Sequence, residues 1–209
     1  MTTAQKINTE TALKTELEAL CTRTGKDIAP ALKDSYTSYA HGLWHDIALE
    51  DLTGEPTARQ NSRTLGLWQW GATRQPGETH LRVYNPPEVG TSWRDEMTYI
   101  ELVMEDMPFI VDSITAELTR LNIHVRMMLH PVFSVTRDAN GNLEKMANLK
   151  VEGMTRESWM HISIERQASE GLDAIKTMLL KVLGDVRVAV TDWRDMRTAI
   201  RSAISAIPT

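Results

Sequence analysis

The sequence predicts an α+β fold: an antiparallel sheet carrying its helices on one face, preceded by a helical segment. Three neighbouring stretches carry that prediction. In residues 99–104, Ile100, Leu102 and Met104 alternate with Tyr99, Glu101 and Val103, the two-residue period of a half-buried strand. In residues 110–121, Ile110, Val111, Ile114, Leu118 and Leu121 recur at three- and four-residue spacing, and Asn122, which tolerates left-handed backbone, stands where that helical stripe stops. Residues 123–137 alternate again, with Ile123, Val125, Met127, Leu129, Phe133 and Val135 on one face and His124, Arg126, Met128, His130, Ser134 and Thr136 on the other. The two strands are expected to lie side by side as a pair.

Upstream, Ala12, Leu13, Leu17 and Leu20 make a helical stripe over residues 9–21, stopped by Gly25. A second helix is expected over 29–45, led by Pro30 and carrying Leu32, Tyr36, Tyr39, Leu43 and Trp44. Residues 51–56 read as a break, with Gly54 and Pro56 two apart. Residues 57–72 favour a helix through Ala58, Leu65, Trp68 and Ala72, while Gly66 and the local alternation leave a strand open. A turn at 74–77 precedes a strand over 80–85, ended by Pro86 and Pro87, and 86–96 reads as an irregular linker. Downstream, Asn140-Gly141 signals a reversal. Residues 158–166 alternate as the returning strand, with Met160, Ile162 and Ile164 opposed to Trp159, His161, Ser163 and Glu165. A helical stripe then runs from Leu172 to Ile204, with Ser169 as its cap and Gly184 as a point of bending. A fourth strand over 185–191 stays open, as does completion of the sheet by residues 80–85.

Strand, helix, strand, turn, strand, helix is the ferredoxin-like or ACT-like order. The chain divides into an N-terminal helical segment (1–78), the ACT-like sheet with its first helix (79–168), and a second helix with its C-terminal extension (169–209). The sheet face opposite those helices shows Glu101, Arg126, Met128, His130, Trp159 and His161, too apolar for plain solvent and too polar for a core. It is predicted to be an interaction surface covered by another layer or subunit.

At 209 residues and 42% hydrophobic, the chain is sized for one core or a small domain with a helical appendage. A net charge of −5 with dispersed Lys and Arg argues against nucleic acid. Cys21 is the only cysteine, residues 1–20 carry charge throughout, and no apolar run approaches a membrane span, so a cytoplasmic chain without membrane contact is expected. There is no Gly-x-Gly-x-x-Gly and no Gly-x-Ser-x-Gly. His41 and His45 lie four apart without the acidic neighbour of a zinc-protease motif, and read as a solvated helix face. His124, His130 and His161 read as cross-strand neighbours. No catalytic, cofactor or metal residue is assigned. The best ligand candidate is Glu105, Asp106, Met107, Pro108 and Phe109, where free N–H groups at a helix start suit a carboxylate, with Glu105 and Asp106 as capping carboxylates in the competing reading.

The run Val103-Met104-Glu105-Asp106-Met107-Pro108-Phe109-Ile110-Val111-Asp112-Ser113 resembles a signature of the very long bacterial NAD-specific glutamate dehydrogenases. Pro76-Gly77-Glu78, Arg82-Val83-Tyr84-Asn85-Pro86, His130-Pro131-Val132, Glu157-Ser158-Trp159-Met160-His161-Ile162 and Asp185-Val186-Arg187 with Asp192-Trp193-Arg194-Met196-Arg197 match in the same order. The resemblance implies the N-terminal, ACT-like part of such an enzyme, which converts L-glutamate to 2-oxoglutarate and ammonia with NAD as hydride acceptor. It implies further that the cofactor-binding and catalytic residues lie elsewhere in the parent, that the partners are the remaining domains and subunits, and that an amino-acid effector is conceivable at the first strand–helix loop. ACT domains typically have glycine after the proline of that loop; here Phe109 occupies the place.

Overall fold

The computed structural model describes residues 3–86 and 96–205. Four helices come first: α1 (Thr3–Thr24), α2 (Lys33–Leu43, entered through a 3₁₀ turn at Pro30–Leu32), α3 (Leu49–Gly54) and α4 (Thr57–Gly71). The strands are β1 (His80–Tyr84), β2 (Met97–Glu105), β3 (Val125–Leu129), β4 (Val132–Arg137), β5 (Leu143–Ala147) and β6 (Thr155–Glu165). Helix α5 (Ile110–Arg120) links β2 to β3, and α6 (Leu172–Ser205) follows β6. The stretch expected over 57–72 is thus helical from Thr57 to Gly71, and the short helix α3 runs from Leu49 into the predicted break at 51–56. Most of the predicted linker, residues 87–95 with Pro87, lies outside the described residues.

The sheet runs β1-β2-β6-β4-β5, and β3 pairs with β6 as well. Every pairing is antiparallel. The expected side-by-side pairing of residues 99–104 with 123–135 is therefore corrected, because β6 lies between them. The reason is the crossover through α5: it returns the chain parallel to β2 one lane away, and the antiparallel β6 fills the gap. The fourth lane is β1, contributed from upstream, and residues 185–191 belong to the unbroken α6.

Residues 123–137 form two strands rather than one. Pro131, which has no N–H to donate, interrupts them, yet Leu129 pairs with His161 and Val132 with Ser158, so the register carries straight through. A bulge between Val125 and Met127 then reverses the faces upstream. Met127, Leu129, Phe133 and Val135 pack with the N-terminal helices, whereas Ile123 and Val125 pack with α5 and α6. The predicted common face for all six is corrected accordingly.

Helices cover both sides of the sheet. Ile100, Leu102, Met104, Met160, Ile162 and Ile164 meet Ile114 and Leu118 of α5 and Ile175, Leu179 and Leu183 of α6. On the opposite side Val103, Phe133 and Trp159 meet Leu17 and Leu20 of α1, Tyr36, Tyr39 and Leu43 of α2, and Leu67 and Trp68 of α4. The rings of Tyr39 and Trp159 are 5.5 Å apart, and those of Phe133 and Trp159 stand edge-on at 6.1 Å. Two glycines allow that approach. A Cβ on Gly71 would lie 2.5 Å from the Trp159 ring, and one on Gly42 would run into Phe133. Among the described residues no helix is long and apolar enough to cross a membrane.

Candidate functional site

Tyr99, Glu101 and Val103 on β2 and Trp159, His161 and Ser163 on β6 point away from α5 and α6, as strand alternation requires. Glu101, Trp159 and His161 are completely buried there. What buries them is this chain's own N-terminal helices. Arg63 of α4 reaches down onto His161, its Nε donating to the imidazole Nε2 at 2.8 Å, and one of its amino groups meets Glu55 at 2.7 Å. Because Nε2 accepts, His161 carries its proton on Nδ1, which donates to Glu101 at 3.0 Å. Arg82 of β1 donates from Nε to the other Glu101 oxygen at 2.6 Å, and the Tyr84 hydroxyl donates to Glu101 at 3.0 Å. Helix, central strands and edge strand are thereby joined through Glu55, Arg63, His161, Glu101 and Arg82.

The electrostatics follow from that chain. Burial, reinforced by the Arg63 charge, pushes His161 down to about 4. Burial alone would raise Glu101, but the His161 and Arg82 donors reverse this and hold it below the usual carboxylate range. Tyr84 is pushed up by burial and by the Glu101 charge.

A second knot lies at the other end of the sheet. Glu157 of β6 accepts from Arg74 at 2.6 and 3.1 Å, from Arg137 at 2.8 Å on each oxygen, and from the Trp159 indole at 3.1 Å. Burial works against its ionisation, and the two guanidinium groups prevail and hold the carboxyl low. The remaining donors of Arg74 and Arg137 go to backbone carbonyls of Gln75, Glu78, Gly71, Ala72 and Gly141. Five donors to one buried carboxylate fix the β4–β5 hairpin and the end of α4 to β6.

The predicted ligand loop has a different architecture from the one expected. Helix α5 starts at Ile110 with Phe109 as its N-cap, so Pro108 precedes the helix, and no side chain caps it. The competing reading of Glu105 and Asp106 as capping carboxylates is corrected. Asp106 accepts instead from the Ser158 hydroxyl at 2.6 Å, and its N–H donates to Arg156 at 2.9 Å. His130 sits 3.2 Å from the same Ser158 oxygen. This Asp–Ser–His row is not a nucleophile with its base, because the hydroxyl donates to the carboxylate and the buried Ser158 stands in the middle. Glu105 and Met107 are half-buried. Phe109 is 65% exposed and holds φ at 72°, the left-handed region that glycine occupies at no steric cost.

The other predicted surface residues scatter. Arg126 pairs with Glu165 on an exposed edge, Met128 packs towards α5 and α6, and His130 stays half-buried. Arg126, Met128, His130, Asp46 and Asp51 share the lining of a groove of about 560 Å³ beside β3. Of the histidines read as neighbours, His124 is exposed and His161 is sealed, and His45 pairs with Asp46. Among the described residues no group of three or more His, Cys, Asp or Glu could hold a metal ion. Burial raises the Cys21 thiol, against nucleophilic use.

The sequence reading missed Arg63, Arg74, Arg82 and Arg137, which carry both knots. Their only signal was indirect: Glu101, Glu157 and His161 on strands otherwise built to be buried require charged partners.

Residues 39–179 match the family described as glutamate dehydrogenase, ACT1 domain. The chain is 32% identical over 198 residues to an NAD-specific glutamate dehydrogenase of Halomonas elongata, covering 93% of this chain and 12% of that protein. It is 30% identical over 207 residues to one of Pseudomonas aeruginosa, covering 98% of this chain and 12% of that protein. A Mycobacterium tuberculosis protein of the same name is 29% identical over 192 residues, covering 86% and 11%. The chain thus spans about 12% of the first two relatives. No solved structure matches.

Proposed function

The chain belongs to the glutamate dehydrogenase ACT1 domain family, and from that premise we propose that it is a regulatory or assembly domain of an NAD-dependent glutamate dehydrogenase. The parent would oxidise L-glutamate to 2-oxoglutarate and ammonia with NAD as acceptor, and hydride transfer would be performed by polypeptide outside these residues. One observation carries the reading. The ionisable groups at the helix–sheet boundary, Glu101, Glu157, His161, Arg63, Arg74, Arg82 and Arg137, are paired with one another, and those that border a small cleft of about 160 Å³, Arg74, Arg137 and Glu157, are already held in ion pairs. Groups arranged in this way hold layers together, with their polar atoms engaged by one another. The partners are the other domains and subunits of that enzyme. The test is spectrophotometric: the isolated chain is expected to form no NADH from NAD and L-glutamate, and glutamate-dependent NADH formation by it would overturn the reading.

A second reading makes Glu105 to Phe109 an amino-acid-sensing loop. It is favoured by the absence of any side-chain cap on α5, which leaves first-turn N–H groups for a carboxylate. Titration calorimetry of the chain against the twenty amino acids separates the two. Saturable heat abolished by Phe109→Asp would establish sensing, and silence would leave the architectural role.

A further inference from the structure

Helix α6 behaves differently along its length. In its first half Leu172, Ile175, Leu179, Leu183 and Val186 face the sheet and are buried. The same helical face continues through Trp193, Met196 and Ile200, at steps of seven, three and four residues from Val186. These three are 58%, 52% and 58% exposed. An apolar stripe that is core for four turns thus leaves the domain and goes on without a partner among the described residues.

Phe109 lies at the point of departure. Together with Ser113 of α5 it joins Val182, Asp185, Val186 and Ala189 of α6 around a cavity of about 340 Å³. On the helix, Ala189, Met196 and Ile200 lie on the side towards that cavity. Phe109 therefore extends the stripe sideways at its head. Holding a bulky aromatic in left-handed backbone and leaving it in water are both unfavourable, and among the described residues nothing buries the ring.

We propose that Phe109, Trp193, Met196 and Ile200 form the seat of an amphipathic helix from the remainder of the same, longer polypeptide. The inference rests on the reading of the chain as one domain of a much larger enzyme. A helix is the complement because the row is one residue wide with three- and four-residue spacing, which a facing helix fills by ridges into grooves. A tethered occupant is favoured over a second copy by area. The four side chains expose on the order of 400 Å² of apolar surface, about half of what each partner contributes to a stable interface between free proteins. Tethering supplies the effective concentration that so small a surface needs, and the relatives have the chain to supply it, since this segment matches only 12% of their length.

The test compares amide hydrogen exchange of residues 188–202 in the isolated chain and in the long enzyme. They are expected to exchange at least about 100-fold more slowly in the long enzyme. Trp193→Glu with Ile200→Glu is expected to leave the melting of the isolated chain unchanged and to return exchange in the long enzyme to the isolated rate. Equal rates in the two wild-type forms would overturn the seat, as would slow exchange that survives the double variant. Concentration-dependent protection in the isolated chain, with a dimer in sedimentation, would overturn it in favour of a second copy. If the long polypeptide proves to lack a dehydrogenase core, the functional reading fails while the exchange comparison still decides the seat.

Discussion

Glu157 shows most clearly what a single residue does in this molecule. It is one buried carboxylate facing two guanidinium groups, so its neutralisation removes the carboxylate that both of them pair with directly. Glu157→Gln, nearly the same shape, is expected to cost about 3–5 kcal/mol in urea unfolding, against under about 1 kcal/mol for Glu165→Gln in the exposed pair with Arg126. His161 gives the pH dependence. Its folded value of about 4 lies below the ordinary unfolded value near 6.5, so between these the unfolded chain binds the extra proton. Stability from this group is fully present above about pH 6.5 and is lost as the pH falls towards 4, a span worth about 3 kcal/mol. Below that, protonation of Glu101 and Glu157, both held low, extends the loss. Urea midpoints from pH 4 to 8 should show this rise and plateau. His161→Gln should flatten the segment between pH 4.5 and 6.5, and an unchanged slope in that variant would mean another group titrates there. At Phe109 the φ of 72° predicts that Phe109→Gly stabilises the isolated chain by about 1 kcal/mol, read as a rise in melting temperature.

At the scale of elements, β2, α5 and β6 were legible in the sequence because each buries one face and advertises its period. The strand 123–137 was legible only as extended chain. Its bulge near Arg126 and its break at Pro131 are tertiary matters: the register with β6 is set by which side chains find room, and alternation in the sequence does not record a bulged residue. Helix α3 is six residues long, below the length at which periodicity says anything. The candidate site was half legible. Glu101, Trp159 and His161 stood out as a polar and aromatic row on strands otherwise built for burial, but Arg63 and Arg82 lie 98 and 19 positions from the residues they hold, and no local pattern links them. The close seat of α4 on β6 depends on Gly71. Gly71→Ala should gain helix propensity yet lose about 1–3 kcal/mol to the clash with the Trp159 ring, and a stability equal to wild type would show that the two layers leave room for a methyl group at this position.

For the whole molecule, the feature that matters is that the sheet is covered on both sides by its own chain. Of the two covers predicted for that face, another layer or a subunit, the chain's own α1, α2 and α4 supply the layer, and both ionic knots cross that boundary. The first 78 residues and the sheet should therefore unfold together rather than as the separate segments their sequence boundaries suggest. The far half of α6 stands outside this arrangement, with its stripe open. Differential scanning calorimetry of the chain at pH 7 tests the central claim most directly. One transition with equal van't Hoff and calorimetric enthalpies is predicted, and two separable transitions, one of them retained after residues 1–78 are removed, would contradict it.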